Sequence, residues 1–339
     1  MASGLSADVL IVGAGVAGNL AAFDLATAGL RVLVLESGPP VDRGASTGLF
    51  RTSVTKFVGS PYPEVPYAPT PSFADLSAYY VQAGPETFSA TYERRVGGTT
   101  WHWLGTALRL LPSDFKLRST YGVGMDWPLS YGDIASWYDE AEKAMGVSGD
   151  AKANLGGAPR DGAYPLPPIP QSYLDQRLKS AVAPLGLDVA STPQARNSEP
   201  FDDRPACCGN ASCIPICPIG AKYDGAVHAQ KATAAGARIE DSAIAYSVEL
   251  GSDGRVTGVR YKKPDGSSHL ATAKIFVIAA HAIETPKLLL LSRTAALPNG
   301  IANASGQVGR NLSDHPTQLS WASRRSRSIR IADRSRPRG

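Results

Sequence analysis

Residues 8–38, DVLIVGAGVAGNLAAFDLATAGLRVLVLESG, constrain this chain more than any other stretch. An apolar run over 9–12 meets Gly13-Ala14-Gly15-Val16-Ala17-Gly18. An Ala/Leu-rich helical segment follows, and a second apolar run over 32–35 ends in Glu36. Strand, glycine turn, helix, strand and acid in this order make a βαβ unit able to hold a dinucleotide. Gly13 permits the tight turn, and Gly15 lets a pyrophosphate approach the backbone. Gly18 lets the helix pack closely, with its N-terminus toward the phosphates. Glu36, at the end of the second strand, is placed to accept from a ribose hydroxyl. FAD and NAD both suit this unit, and its position near the start of the chain leans toward FAD.

The chain of 339 residues, 43% apolar, has material for two domains or one large one. No apolar run reaches the roughly 18–20 residues of a bilayer span. The longest candidate, 275–291, is interrupted by His281, Glu284 and Lys287. The start lacks the basic residues of a secretory signal. The net charge of +4 is misleading, because residues 322–339 (ASRRSRSIRIADRSRPRG) carry seven arginines against one aspartate. The remainder is slightly acidic and gives no reason to expect nucleic-acid binding. That Arg/Ser-rich tail reads as a solvated basic arm, or as the product of a reading frame lost near Trp321.

Residues 39–92 are rich in Pro, Gly, Ser and Tyr with little helical periodicity, as expected of a long excursion over a cofactor. The segment 131–147 predicts an amphipathic helix with Ile134, Trp137, Tyr138, Ala141 and Met145 on one face. A further helix is predicted near 174–185. Two strands joined by Ser252-Asp253-Gly254 are predicted over 239–261, then a buried strand over 274–279. Thr285-Pro286 opens a helix over 284–292.

All four cysteines lie in CCGNASCIPICPIGAKYDG, with five residues between Cys207 and Cys213 and three between Cys213 and Cys217. Cys-x-x-Cys pairs of the zinc type are absent. Pro218 follows the last cysteine, as in ferredoxin-type loops. Disulfides remain the alternative, although two adjacent cysteines make an awkward framework in a chain with a sizeable core. The spacing favours iron–sulfur with three of the four as ligands: a three-iron cluster, or one with an open corner.

These motifs together resemble the glucose–methanol–choline (GMC) family of flavin oxidoreductases. The resemblance rests on GAGVAG with Glu36, on Gly97-Gly98-Thr99-Thr100, on AAHAIETPKLLLLS (279–292) and on VGRNLSDHP (308–316). GGTTWHW, YGVGMDWPLSY and the cysteine loop are similar to the large subunits of bacterial membrane-associated sugar dehydrogenases acting on glucose, fructose, sorbitol or gluconate. The similarity covers roughly residues 5–321.

The resemblance implies an α/β fold: a Rossmann-like FAD-binding domain (5–45, 90–125 and 230–316) with an interleaved, here incomplete, α+β substrate domain. Segments 46–89 and 126–229, including the loop 207–220, would cover the cofactor and substrate. FAD would lie with its pyrophosphate at Gly13, Gly15 and Gly18 and its ribose on Glu36. The turn Gly97, Gly98, Thr99 and Thr100 would stand near the flavin, and the backbone of Ala245 near the adenine. His102 would either attach the flavin covalently or pack between Trp101 and Trp103. Cys207, Cys213 and Cys217 would ligate a 3Fe-4S cluster, with Cys208 a bystander. His228, His269, His281 and His315 read as structural, His315 being the one best placed near cofactor.

The implied reaction is oxidation of a sugar or polyol hydroxyl by hydride transfer to the flavin. Electrons would leave through the cluster to a cytochrome c subunit. A small subunit bearing a twin-arginine signal would bring the complex to the periplasmic face of the inner membrane; unpartnered, the chain would be cytoplasmic. The family's catalytic His/His or His/Asn pair has no match before the similarity stops near residue 321, so a truncated or frame-shifted dehydrogenase subunit is expected, its activity left open. Two other classes fit the motifs: a non-catalytic flavin/iron–sulfur electron-transfer module, and a nicotinamide-dependent oxidoreductase with disulfides.

Overall fold

The computed structural model describes residues 4–71, 76–85, 88–89, 91–153 and 158–313. His315, Trp321 and the tail 322–339 lie outside the described residues.

Two four-stranded sheets carry the fold. The first is wholly parallel: β2 (Val9–Val12) pairs with β3 (Val32–Leu35) on one side and β8 (Ile275–Ile278) on the other, and β4 (Arg238–Glu240) extends it beyond β3. The second joins β5 (Ile244–Leu250), β6 (Val256–Lys262) and β7 (Ser268–Thr272) as an antiparallel meander, with β1 (Leu5–Ser6) parallel to β7.

Side-chain alternation in β2 and β3 explains how the layers stack. Successive residues of a strand face opposite ways. Leu10, Val12, Leu33 and Leu35 therefore join Val248, Val259, Tyr261 and Ala271 of the meander in one core. Val9, Ile11, Val32 and Val34 turn the other way, onto Ala22 and Ala26 of α1 (Val16–Thr27) and Ala229 and Ala232 of α6 (Ala226–Ala234). All eight residues of the two strands are buried on both faces, the pattern of a covered parallel sheet. The alanines on both helices let them approach the sheet and one another closely.

Four local expectations are corrected. The excursion after residue 39 begins with a helix, α2 (Arg43–Thr52), started by Asp42, whose carboxylate accepts from the Ala45 amide at 2.8 Å. The region 239–261 yields three strands, not two: β4 joins the parallel sheet, and only β5 and β6 form the hairpin. The run 274–279 gives β8, a half-buried edge strand with Ile275 57% exposed. Its apolar composition could not distinguish an edge from the middle of a sheet.

The fourth correction concerns the helix expected over 131–147. It forms as α4 (Tyr131–Met145), after α3 (Leu117–Tyr121), but Trp137 is 69% exposed. Its buried side chains are Tyr131 and Glu142. Glu142 is drawn inside by Arg109, at 2.8 Å, and by Arg160. A buried paired carboxylate is invisible to a count of apolar positions. The next helix, α5 (Tyr173–Val182), continues into a short 3-10 turn, and α7 (Glu284–Leu291) completes the described elements.

Candidate functional site

The end of β2, the start of α1 and a second glycine turn enclose a cavity of about 710 Å³, well within the usual range for ligand clefts. Gly13 has φ +104°, and a Cβ there would stand 2.4 Å from the Ala279 carbonyl oxygen. Gly18 lies behind the cavity wall, where a Cβ would reach 2.0 Å from the Gly13 carbonyl oxygen; this contact seats α1 on the turn. Gly15 differs from both. A Cβ at Gly15 would meet nothing within 4 Å and would project into open space, and Gly15 lines the cavity. The α1 N-terminus, at Val16 and Ala17, opens into the same space and offers its amides to an anion.

Gly97, Gly98, Thr99 and Thr100 form the opposing wall, as a 3-10 turn that runs to Trp101. Gly97 and Gly98 have φ +100° and +60°. The Gly97 amide donates to the Ala14 carbonyl at 2.8 Å, so the two turns are bonded to each other. Asn19, fully buried in α1, donates to the carbonyls of Ala14 (2.7 Å) and Gly225 (3.0 Å) and ties the first turn to the start of α6.

Glu36 lines the cavity and also holds the glycine turn in place. Its carboxylate accepts from the amides of Ala14 (2.8 Å) and Gly38 (3.0 Å) and from the Ser37 hydroxyl. Burial pushes this carboxyl above the usual range, and the donors oppose that push. Oε1 takes two of these bonds and Oε2 one, so a lone pair on Oε2 is left for a further donor. Ala245 stands across the cavity, on β5.

The remaining wall contains a polar cluster that the sequence reading missed. Glu284, at the start of α7, accepts from Tyr92 (2.5 Å), Arg94 (2.7 Å) and Lys287 (2.6 Å), and Tyr92 stacks on His281 with ring centroids 4.9 Å apart. Burial alone would raise the Glu284 carboxyl, but Lys287, Tyr92 and Arg94 outweigh it and hold the group below the usual range. All five residues line the cavity. His281 thus lines the cavity while packing against Tyr92. The only signal in the sequence was that Glu284 precedes Thr285-Pro286; Lys287 is a near neighbour, but Tyr92 and Arg94 lie about 190 residues away.

His102 is not among the cavity-lining residues. Its ring is buried, with Nε2 unpartnered and 3.8 Å from the Glu93 carboxylate. Burial, with Lys222 nearby, pushes the imidazole down to about 4 and keeps it neutral. Glu93 does line the cavity, and burial pushes it up to about 7 against the pull of Arg95. His228 is buried against Tyr223, whose hydroxyl lies 2.9 Å from Nδ1, and His269 stacks on Tyr261.

All four cysteines are free thiols. Cys207 Sγ accepts from the Gly209 amide (3.4 Å), Cys213 Sγ from Arg196 (3.6 Å), and Cys208 turns to Asn210. The structure does not bring Cys207, Cys213 and Cys217 together: among the described residues, no three His, Cys, Asp or Glu gather as a metal-holding group. As it stands, the loop does not fit a three-thiolate cluster. No helix among the described residues is long and apolar enough to cross a membrane.

Comparison with known proteins gives this geometry a context. Residues 167–317 match the family model of the GMC oxidoreductases, and residues 8–59 match that of an FAD binding domain. The chain is 45% identical over 320 residues to the fructose dehydrogenase large subunit of Gluconobacter japonicus, covering 92% of this chain and 59% of that one. It is 30% identical to the 2-methyl-1,2-propanediol dehydrogenase of Mycolicibacterium austroafricanum, covering 91% and 55% respectively. The chain thus spans a little over half the length of these relatives. The crystal structure of formate oxidase superposes with a TM-score of 0.53 over 86% of this chain and 48% of that one, at 16% identity, and shares the fold.

Proposed function

The chain belongs to the GMC oxidoreductase family, and on that premise we propose that it holds FAD for the oxidation of a sugar or polyol CH–OH group. The observation that carries this reading is Gly15. Its absent side chain leaves open the part of the cavity between the α1 N-terminus and the Gly97–Gly98 turn, where a pyrophosphate would need to touch backbone.

When bound, FAD would supply the acceptor for the hydride leaving the substrate carbon. The chain's own residues are assigned the following work. Gly13, Gly15 and the first α1 amides would hold the phosphates, with Gly18 keeping α1 seated. Glu36 would take a ribose hydroxyl with the spare lone pair of Oε2 while still anchoring the turn. The backbone at Ala245 would border the adenine. Gly97, Gly98, Thr99 and Thr100 would support the flavin, with the neutral His102 behind them as the candidate attachment point. The catalytic base is not assigned to any described residue.

Free thiols at Cys207, Cys213 and Cys217, within eleven residues, support the cysteine loop as an iron–sulfur site. Holding a cluster would require the loop to close around it. The relative's designation as a large subunit supports assembly with partner subunits, for which we propose a cytochrome c and a small twin-arginine-bearing subunit at the periplasmic face.

The test is direct. Purified chain incubated with FAD should show bound flavin absorbance near 450 nm, retained on desalting. Iron and acid-labile sulfide measured on the same sample decide the cluster. Bleaching of the flavin by fructose, sorbitol, glucose or gluconate under anaerobic conditions would place the substrate. Absence of flavin binding to folded chain would refute the cofactor assignment.

A further inference from the structure

Lys222 is fully buried, and its ammonium contacts two segments more than a hundred residues apart in sequence. It donates to the carbonyls of Trp101 (2.8 Å), Trp103 (2.8 Å) and Thr100 (3.2 Å), all in or just after the turn that lines the cavity. It also donates to the carbonyl of Cys213 (2.9 Å), in the cysteine loop. Three ammonium protons are thus shared among four main-chain oxygens.

A second bridge runs parallel to the first. Arg43 stacks 4.7 Å over the Trp101 ring, donates to the Cys217 carbonyl at 2.9 Å and pairs with Asp224 at 2.6 Å. Two more bonds fix the lysine's own segment to the turn: Trp103 Nε1 donates to the Tyr223 carbonyl, and the Gly225 amide donates to the Thr100 hydroxyl, both at 2.8 Å.

A buried ammonium that loses its acceptors is expensive, because no water replaces them. If the 98–103 turn shifts, Lys222 must follow it, and Cys213 must follow Lys222. We propose that Lys222 is a positioning residue that couples the cofactor turn to the cysteine loop, so that filling the cavity controls the reactivity of Cys213 and Cys217. Ordering the turn orders the loop, and by reciprocity whatever fixes the loop tightens the cavity. The inference rests on the reading that the cavity takes FAD.

The test is site-resolved alkylation by iodoacetamide, followed by peptide mass spectrometry, with amide exchange measured alongside. In the unsubstituted chain, FAD should slow Cys213 and Cys217 by a factor in the roughly 5–150-fold range of ordinary site-to-site coupling. The exposed Cys208, outside both bridges, should be unchanged. Lys222→Gln should speed Cys213 and Cys217 and abolish the FAD effect, while flavin fluorescence still reports binding; Lys222→Arg should restore part of it. A merely structural lysine would not move the FAD dependence of one thiol and spare another.

Bound FAD that leaves the Cys213 rate unchanged overturns the coupling. If FAD fails to bind, the cofactor reading falls, and amide exchange in the FAD-free chain decides the coupling alone. Exchange in Lys222→Gln must then rise together over 98–103 and 213–217, and a rise in one segment only refutes it. Should Lys222→Gln not fold, Arg43→Gln makes the same comparison through the second bridge.

Discussion

Gly15→Ala and Gly18→Ala add the same methyl group three residues apart, and the structure predicts opposite consequences. At Gly18 the new Cβ would lie 2.0 Å from a backbone oxygen, where ordinary contact begins at 3.4 Å. A carbonyl within a turn held by Glu36 and Gly97 cannot rotate aside, so α1 must lift by more than an ångström. Overpacking of this kind costs about 1–3 kcal/mol, offset by roughly 0.5–1 kcal/mol because alanine suits a helix interior better. Gly18→Ala should therefore lower the urea midpoint and weaken FAD binding together.

At Gly15 φ is −77°, a conformation any residue adopts, and the methyl meets no protein atom. Stability should hold or rise by about 0.4–1 kcal/mol, because alanine restricts the unfolded chain. FAD affinity should fall at least tenfold, since the methyl stands where the phosphates would approach. The assays are urea unfolding without cofactor and flavin fluorescence titration. Full-strength FAD binding by a folded Gly15→Ala protein, or equal destabilisation by the two substitutions, would refute the assignment of the cradle.

Glu36→Ala should cost about 1–3 kcal/mol, because it strips the Ala14 and Gly38 amides of their buried acceptor; Glu36→Gln should cost less, and denaturant midpoints of the two variants check the order. Tyr92→Phe should change stability by under about 1 kcal/mol, since Glu284 keeps Arg94 and Lys287, and a larger loss in the same assay would mean the hydroxyl does more. His102 and His228 are both pushed from 6.5 down to about 4, by burial first. Their contribution is complete above pH 6.5 and lost as pH falls through 4, up to about 3 kcal/mol each. Unfolding midpoints of His228→Gln and the unsubstituted chain should therefore converge between pH 7 and 4.5, and a constant gap would exclude the mechanism. Glu93, raised from 4.5 to about 7, acts in the opposite direction: its contribution is present below pH 4.5 and lost as pH rises through 7. Glu93→Gln should flatten that alkaline-side loss in the same measurement.

The parts of the fold that could be read from the sequence are those fixed by local rules. Residues 8–38 could be read as strand, glycine turn, helix and strand because near neighbours set that order, as Gly18 against Gly13 illustrates; the contact of Gly13 with Ala279 could not. The Gly97–Gly98 turn was singled out by resemblance, but its bond to Ala14 was not legible, since nothing local encodes the distance between two turns about 80 residues apart. The same limit applies to Glu142, Glu284 and Lys222. Each is a charged residue placed inside the protein by partners remote in sequence, and a hydropathy pattern scores each of them as surface. Composition identified 275–278 as strand and could not say that β8 is an edge. For the cysteines, spacing suggested a ligand set, while their observed placement is governed by main-chain bonds from Arg43 and Lys222.

The pairing of β2 with β8 has a consequence for how the protein is made. On the ribosome, β8 follows its partner β2 only after about 260 further residues have been added. At ordinary elongation rates this is a delay of roughly 13–50 s. Throughout that interval the N-terminal half of the nucleotide site has no far wall, and β2 presents an unsatisfied, wholly apolar edge. A ligand of the cavity cannot protect that edge before β8 has been made, because the wall that β8 leads into is not yet there.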